Sequence, residues 1–157
     1  AEWLEANRPP AGEPGILHGD FHLDNCLFAH EPPIEVLAII DWEMATIGDP
    51  LVDVGLLLGL WGPERAKPPA IDNLQGVSRV EGAPSREELA AHYAEHSGRS
   101  VEHLNWYMVL SLWKLGAVIE GAYAHFVNGN VDSAYAESLG RDIPQLMAEA
   151  RQIAERA

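Results

Sequence analysis

The sequence is short of cysteine, of basic residues and of long uninterrupted apolar runs. Its single cysteine, Cys26, cannot form an internal disulfide or a cysteine-based metal site, so nothing indicates an oxidising compartment and we expect a cytoplasmic protein. Ten lysines and arginines against 24 acidic residues give a formal net charge of -14. That sign is wrong for neutralising phosphates, so neither nucleic acid nor an anionic membrane is expected as a partner. A cationic small molecule is allowed, although an acidic surface that only maintains solubility is the simpler interpretation.

No membrane-spanning segment is predicted either. The longest apolar stretch, residues 104–127, is interrupted by Lys114, Glu120 and His125. With 157 residues the chain is long enough for one domain with its own core. It opens on Ala1 and enters the segment Trp3-Leu4-Glu5 at once, which leads us to expect that sequence upstream is missing.

Strands are predicted in the first third of the chain and helices in the rest. Apolar runs at 15–17 and 26–29 adjoin a dense polar segment, and the run Val36–Ile40 is so rich in β-formers that we predict a buried strand ending at Asp41. The later elements are predicted helices at 50–61 (capped by Asp49), 86–97 (opened by a Ser85/Glu88 capping box and stopped by Gly98), 100–127 (capped by Ser100), 132–139 and 144–157. This order predicts an α+β fold with the helices gathered to one side.

Two parts of the helical region need separate mention. Residues 62–84 show no clear periodicity and are predicted to be an irregular connection of the kind that is often functional. The aromatic residues of the longest predicted helix recur at helical spacings and are interpreted mainly as core: Trp106, Tyr107, Trp113, Tyr123 and Phe126.

The polar segment His18–Asn25 carries the most informative chemistry. It holds one carboxylate, Asp20, and five residues later an amide, Asn25, while a second carboxylate, Asp41, lies at the end of the neighbouring strand. Hard oxygen ligands of this kind suit Mg²⁺, which completes its shell with waters and substrate phosphates. Phosphoryl transfer needs such a metal set together with a base that positions a hydroxyl.

Three motifs in this region resemble a known family. They are His18-Gly19-Asp20 followed by Asn25, then Ile40-Asp41-Trp42-Glu43, then Gly48-Asp49-Pro50-Leu51-Val52-Asp53. Together they are similar to the C-terminal catalytic lobe of the aminoglycoside phosphotransferase and choline kinase-like family, a distant relative of the protein kinases. The resemblance implies a mainly helical α+β lobe of the protein kinase-like fold, in which a small β-element carries the catalytic and metal-binding loops.

The resemblance also implies a role for each motif residue. Asp20 would be the catalytic base, and His18 would orient its loop rather than titrate. Asn25 and Asp41 would ligate Mg²⁺ and, through it, ATP. Asp53 would be a buried acid that braces the catalytic loop through its backbone. The tryptophan-glutamate pair and the helical tail are further similar to the branch fused to or neighbouring acyl-CoA dehydrogenases.

The sequence departs from the family pattern at two places. Trp42-Glu43 stands where protein kinases carry Phe-Gly, which is usual in the aminoglycoside and choline branches. Asp24 precedes Asn25 where the family often has glycine, and its charge would either add a metal contact or face water.

The nucleotide-holding half of a kinase is not recognisable. Such a lobe needs a glycine-rich loop and a strand lysine, yet the two lysines here, Lys67 and Lys114, lie outside any predicted strand. We therefore expect residues 1–157 to be the C-terminal lobe alone, and the fragment to be inactive by itself. The complete protein would be an ATP- and Mg²⁺-dependent kinase of a small-molecule hydroxyl acceptor. The alternative is a non-catalytic binding or scaffold protein that lacks a nucleotide lobe.

Other candidate sites carry weaker signals. His22 with His18 and the nearby aspartates could form a metallohydrolase site, although no further ligand cluster supports it. His92 and His96, four apart on a predicted helix, could bind a metal, but two exposed histidines without that role are the simpler interpretation. Glu120 and Asp132 are either solvated acids or contacts for a cationic acceptor.

Overall fold

The computed structural model describes residues 1–62 and 74–157, in which strands come first and helices follow. The strands are short: β1 (Gly15–Leu17), β2 (Cys26–Phe28), β3 (Val36–Ile39) and β4 (Thr46–Gly48). The α-helices are α1 (Glu2–Ala6), α2 (Leu51–Gly59), α3 (Arg86–Ser97), α4 (Leu104–Val127) and α5 (Ala134–Arg156). Single 3₁₀ turns lie at Leu23–Asn25, Trp42–Met44 and Gly76–Arg79. The predicted α+β class is confirmed.

The strands form two separate antiparallel pairs. In one pair β1 lies beside β4, with Leu17 opposite Thr46. In the other β2 lies beside β3, with Cys26 opposite Ile39. Because the polar segment joins β1 to β2, and the segment after β3 leads to β4, both candidate loops lie where the two pairs meet.

The prediction of a buried strand at Val36–Ile40 is wrong in its burial. Strand β3 forms at Val36–Ile39, but every residue in it is exposed; Leu37 is 66% exposed. The reason is topological: β3 pairs only with β2 in a hairpin, and no other described element covers its face. An apolar run predicts a strand correctly without specifying what packs on it.

The helical core is built on α4, which packs against α2 and α5. Leu58 of α2, Leu112 of α4 and Leu139 of α5 are each at most 1% exposed. A buried leucine contributes about 1.5–3 kcal/mol relative to an exposed one, so this layer supplies most of the stability. Gly55 allows α2 to approach closely, since a Cβ there would meet the backbone of Tyr107 at 2.6 Å.

Helix ends follow the predicted capping residues in most places. Ser85 Oγ accepts the N–H of Glu88 at 3.1 Å, and the Glu88 carboxylate accepts the N–H of Ser85 at 2.7 Å, so the capping box is confirmed. Gly98 ends α3 in the left-handed conformation, with φ at +69°. Asp49 Oδ1 accepts the N–H of Leu51 at 3.0 Å at the start of α2.

The predicted start of the longest helix is wrong. Helix α4 begins at Leu104, and Ser100 Oγ instead accepts the N–H of Glu102 at 3.3 Å in the preceding turn. The hydroxyl therefore stabilises a local turn, a competing use that serines often find. The predicted end at Val127 is confirmed.

The chain after Asn130 forms one helix rather than the two predicted. Helix α5 runs through Pro144, which lacks the N–H that would bond one turn back to Gly140. Leu139 before the proline and Leu146 after it are 1% and 2% exposed and pack into the same core. The burial on both sides outweighs the cost of one missing hydrogen bond.

Two further expectations have mixed outcomes. Tyr107 is buried as predicted, but Trp113 is 44% exposed and is not core. Lys67 and residues 63–73 of the predicted irregular connection lie outside the described residues; its later part contains the turn Gly76–Arg79. No helix in the described part of the chain is both long and apolar enough to span a membrane.

Candidate active site

The segment His18–Asp20 forms a tight loop directly after β1. Gly19 has φ at +86°, and a Cβ at this position would collide with the backbone oxygen of Met44. Glycine is therefore required both by backbone conformation and by space. The close approach brings the loop against the turn that follows Asp41.

Asp53 of α2 fixes the N–H groups of this loop. Its Oδ2 accepts the backbone N–H of His18 at 2.7 Å, and its Oδ1 accepts that of Gly19 at 2.9 Å. Hydrogen bonds to a carboxylate are stronger than those between neutral groups. The side chain is half-buried rather than fully buried, and it lies where the resemblance expects a bracing acid.

Lys114 of α4 holds the same loop from its carbonyl side. Its Nζ donates to the Gly19 oxygen at 2.6 Å. The Gly19 residue thus has its N–H bonded to a carboxylate and its C=O bonded to an ammonium. Such opposed contacts restrict rotation of the two peptide groups that flank Gly19, the second of which leads into Asp20.

The ring of His18 joins the two candidate loops. Its Nδ1 accepts the Asp20 N–H at 3.3 Å, and its Nε2 donates to the Ile40 oxygen at 2.7 Å. The ring is 3% exposed and lies 4.8 Å from the ring of Trp42, centroid to centroid. With both nitrogens engaged, the ring of His18 links the two loops.

Asn25 and Asp41 lie next to this junction. Asn25 Nδ2 donates to the Asp20 backbone oxygen at 2.9 Å, and the Asn25 backbone oxygen accepts the Ile40 N–H at 2.9 Å. Asp41 is exposed and adopts the left-handed conformation, with φ at +66°, which non-glycine residues occupy mainly at turns and functional sites. Because the side-chain nitrogen of Asn25 already donates to Asp20, the side-chain oxygen Oδ1 is the atom left to bind a cation. An amide oxygen with a carboxylate is a donor set that suits Mg²⁺.

His22 lies between two carboxylates. Its Nε2 is 3.6 Å from Asp20 Oδ2, and its Nδ1 is 3.5 Å from Asp24 Oδ2. Burial opposes the charged ring and is the largest single influence, but the two carboxylates together outweigh it and raise the pKa of His22. The close approach of the His22 ring lowers the pKa of Asp20 despite partial burial, and the charge of Lys114 adds to that effect. Asp20 is therefore ionised at neutral pH.

A buried glutamine that sequence reasoning missed ties Asp24 to α2. The Gln75 N–H donates to Asp24 Oδ2 at 2.9 Å, and its side chain accepts from the Leu23 N–H at 3.2 Å and donates to the Leu57 oxygen at 2.9 Å. Gln75 is 2% exposed. Asp24 is exposed, as one of its two predicted roles has it, and its contact with Gln75 is an addition that neither role included.

A cavity of about 350 Å³ opens beside Asp20. Its walls are mostly apolar side chains of α2 and α4, with Tyr135 of α5 at one side. Asp20, His22 and Lys114 are the ionisable side chains among the residues lining it, besides the tyrosine. The cavity has the size and lining of a small-molecule site.

The structure brings together Asp20, His18, Asn25 and Asp53 by direct hydrogen bonds, and Asp41 by its position after Ile40. Glu120 and Asp132 are exposed and do not line the cavity. The role of Lys114 was missed, although a lone lysine in an apolar helix of so acidic a chain was a usable signal. Cys26 is buried, and burial raises the pKa of its thiol.

Comparison with protein families shows that the sequence matches a known family. The model of the phosphotransferase enzyme family matches residues 1–92, more than half of the chain. The chain therefore belongs to the phosphotransferase enzyme family, and the resemblance drawn from the three motifs is confirmed.

Among curated proteins, the chain is similar to acyl-CoA dehydrogenase family members. It is 34% identical over 152 residues to member 10 of Mus musculus and 35% identical over 152 residues to member 11 of Homo sapiens. These matches cover 94% and 95% of the chain but only 14% and 19% of the relatives. The expected similarity to the branch associated with acyl-CoA dehydrogenases is confirmed.

Among solved structures, the chain is similar to a protein from Ralstonia eutropha that was provisionally assigned as an aminoglycoside phosphotransferase. The TM-score is 0.80 at 28% identity, and the match covers 99% of this chain and 47% of the other. The predicted kinase-like phosphotransferase fold is thereby confirmed.

Proposed function

We propose that this chain is the C-terminal catalytic and acceptor-binding lobe of an ATP- and Mg²⁺-dependent kinase of small molecules. The observation that carries the proposal is that Asp20 faces the cavity while its loop is tied by hydrogen bonds to Asn25 and, through His18, to the Ile40-Asp41 segment. Family membership supports the reaction class.

In this proposal Asp20 receives the proton of an acceptor hydroxyl as the new oxygen–phosphorus bond forms. The bond between the γ-phosphorus and the ADP oxygen breaks in the same displacement, and ADP leaves. The low pKa of Asp20 favours orientation of the hydroxyl, with proton transfer late in the displacement. Asn25 and Asp41 would hold Mg²⁺, which supplies charge neutralisation at the phosphates.

The acceptor enters the cavity beside Asp20 in this account. Its apolar walls favour a molecule with an apolar portion that bears a hydroxyl, and its volume fits a small molecule rather than a protein segment. A cationic acceptor would be held chiefly by Asp20 and repelled by Lys114. The acceptor panel therefore includes aminoglycosides, choline-like amines, sugars and hydroxyacyl compounds.

We further propose that a nucleotide-binding lobe covers the β2–β3 hairpin. Leu37 and its neighbours form an exposed apolar surface there, and such surfaces usually mark contacts with another part of a protein. The chain spans 47% of the similar crystal structure, which leaves room for a lobe of that kind. The fragment alone would then be inactive.

The test uses the complete protein that carries this chain. ADP formation with Mg²⁺ is measured across the acceptor panel for the natural protein and for Asp20→Asn, Asp41→Asn and the exposed control Asp132→Asn. We expect acceptor-dependent ADP formation that falls at least about a hundredfold in the first two variants, the scale of general base and electrostatic catalysis, and is unchanged in the control. Near-normal turnover in Asp20→Asn would overturn the assignment. No turnover by the natural protein would favour the non-catalytic binding protein.

A further inference from the structure

Three metal-ligating side chains lie together on the exposed surface of α3, on a different helix from the candidate active site. They are His92, Glu95 and His96, and one ligand atom from each lies within 4.8 Å of the others. Among residues 1–62 and 74–157, these are the three histidine, cysteine or acidic side chains that lie close enough together to bind one ion. We propose that it is a binding site for a divalent transition metal ion of the zinc class.

Helix geometry creates the site. Residues four apart lie on one face of a helix, and the rings of His92 and His96 are 4.1 Å apart, centroid to centroid. The segment His92-Tyr93-Ala94-Glu95-His96 has the H-x-x-E-H order in which one class of zinc peptidase binds its ion. We propose binding without hydrolysis, because all three side chains are exposed to solvent.

The ring of His96 is already oriented as in a ligand. Its Nδ1 donates to the His92 backbone oxygen at 2.9 Å, which leaves Nε2 as the acceptor nitrogen. Metal-bound histidines commonly use their second nitrogen in this way, since the hydrogen bond fixes the tautomer and the ring plane. Zinc ligands lie about 2.0–2.2 Å from the ion, so the three ligand atoms must move closer together, which exposed side chains do by changing rotamer.

Electrostatics favour a cation at this place. His96 lies in the last turn of α3, where the carbonyl groups give the helix end a partial negative charge. The chain carries a net charge of -14, which raises the local concentration of cations. Two imidazoles with one carboxylate suit Zn²⁺, Cu²⁺ or Ni²⁺, whereas Mg²⁺ prefers oxygen ligands alone. The site is thus chemically distinct from the proposed Mg²⁺ ligands.

The test is isothermal titration of zinc chloride into the complete protein in the presence of excess Mg²⁺, which competes for the catalytic-loop carboxylates. We expect one saturable site whose affinity falls about tenfold or more in His92→Ala and in His96→Ala, and by a smaller factor in Glu95→Gln. The matched control is His125→Ala. His125 is an exposed histidine in the last turn of α4, and it is not a member of the cluster His92, Glu95 and His96. That variant should bind zinc as the natural protein does.

Thermal unfolding gives a second readout that needs no enzymatic activity. Zinc should raise the unfolding temperature of the natural protein and of His125→Ala, but not that of the double variant His92→Ala/His96→Ala, because a ligand of the folded state stabilises it. The zinc-free unfolding temperatures of all variants serve as the folding control. Unchanged zinc affinity in the double variant, or no saturable binding by the natural protein, would overturn the proposal.

Discussion

The Lys114 ammonium donates a hydrogen bond to the Gly19 carbonyl oxygen at 2.6 Å, across 95 positions of the sequence. This contact joins the middle of the longest helix to the loop that carries Asp20. It also places a positive charge in the wall of the cavity.

Replacing Lys114 with methionine keeps the length of the side chain but removes the donor. We expect the free energy of unfolding to fall by about 1–2 kcal/mol in urea titrations, because a charged hydrogen bond is lost. In the complete protein, turnover should fall about tenfold to a hundredfold while the KM for ATP stays within about twofold, because a misplaced base slows the chemical step. Glu120→Gln, an exposed change on the same helix, is the control. Equal turnover in both variants would show that Lys114 does not position the loop.

Replacing Gly19 with alanine tests the space in the catalytic loop. The backbone is left-handed there and the added Cβ meets the oxygen of Met44, so we expect a loss of about 2–4 kcal/mol in urea titrations, combining strain with a collision. Gly98→Ala is a matched control, since Gly98 is also left-handed but has nothing within 4 Å of an added Cβ. Gly98→Ala should cost about 1 kcal/mol. Equal losses would mean that the contact with Met44 contributes nothing.

Replacing Asp53 with asparagine tests the brace from α2. The amide retains one acceptor but loses the charge that receives two backbone N–H groups, so we expect a loss of about 1.5–3 kcal/mol in stability and a large loss of turnover in the complete protein. Amide hydrogen exchange at His18 and Gly19 should accelerate in the variant. Unchanged exchange at both positions would contradict the brace.

The ionisation of Tyr107 makes the stability of the folded protein depend on pH. Burial, followed by its hydrogen bond to Asp49 at 2.8 Å, raises the pKa of Tyr107 well above its ordinary value of about 10. The folded state therefore keeps this phenol neutral while the unfolded chain ionises it, so its contribution to stability is full below about pH 10 and declines above it. Ultraviolet titration should show that the phenol of Tyr107 stays un-ionised at pH values just above its ordinary pKa of about 10. Tyr107→Phe should leave the titrating amplitude unchanged; a lower amplitude would contradict the assignment.

The motif residues could be read from the sequence because their roles depend on short-range order. Asp20, Asn25 and Asp41 lie at strand ends within short motifs that resemble a known family, and the Ser85/Glu88 capping box is local. Capping and strand propensities act over a few residues, which is the range that a single sequence exposes directly.

The remaining features depend on contacts between distant residues. Gln75 reaches Asp24 and Leu57 through tertiary packing, and the Lys114 contact spans most of the chain. Pro144 is tolerated within α5 because Leu139 and Leu146 are buried on either side of it. Tertiary packing overrides local propensity in such cases, and no local pattern reports it.

We propose that this lobe directs the γ-phosphoryl group of ATP to an acceptor hydroxyl through Asp20. The most direct measurement is phosphorus NMR of the complete protein turning over ATP and Mg²⁺ with each acceptor of the panel. The account predicts a new phosphate monoester resonance with one acceptor class, formed together with ADP and absent in Asp20→Asn. ADP with inorganic phosphate alone for every acceptor, or an undiminished ester signal in Asp20→Asn, would contradict it.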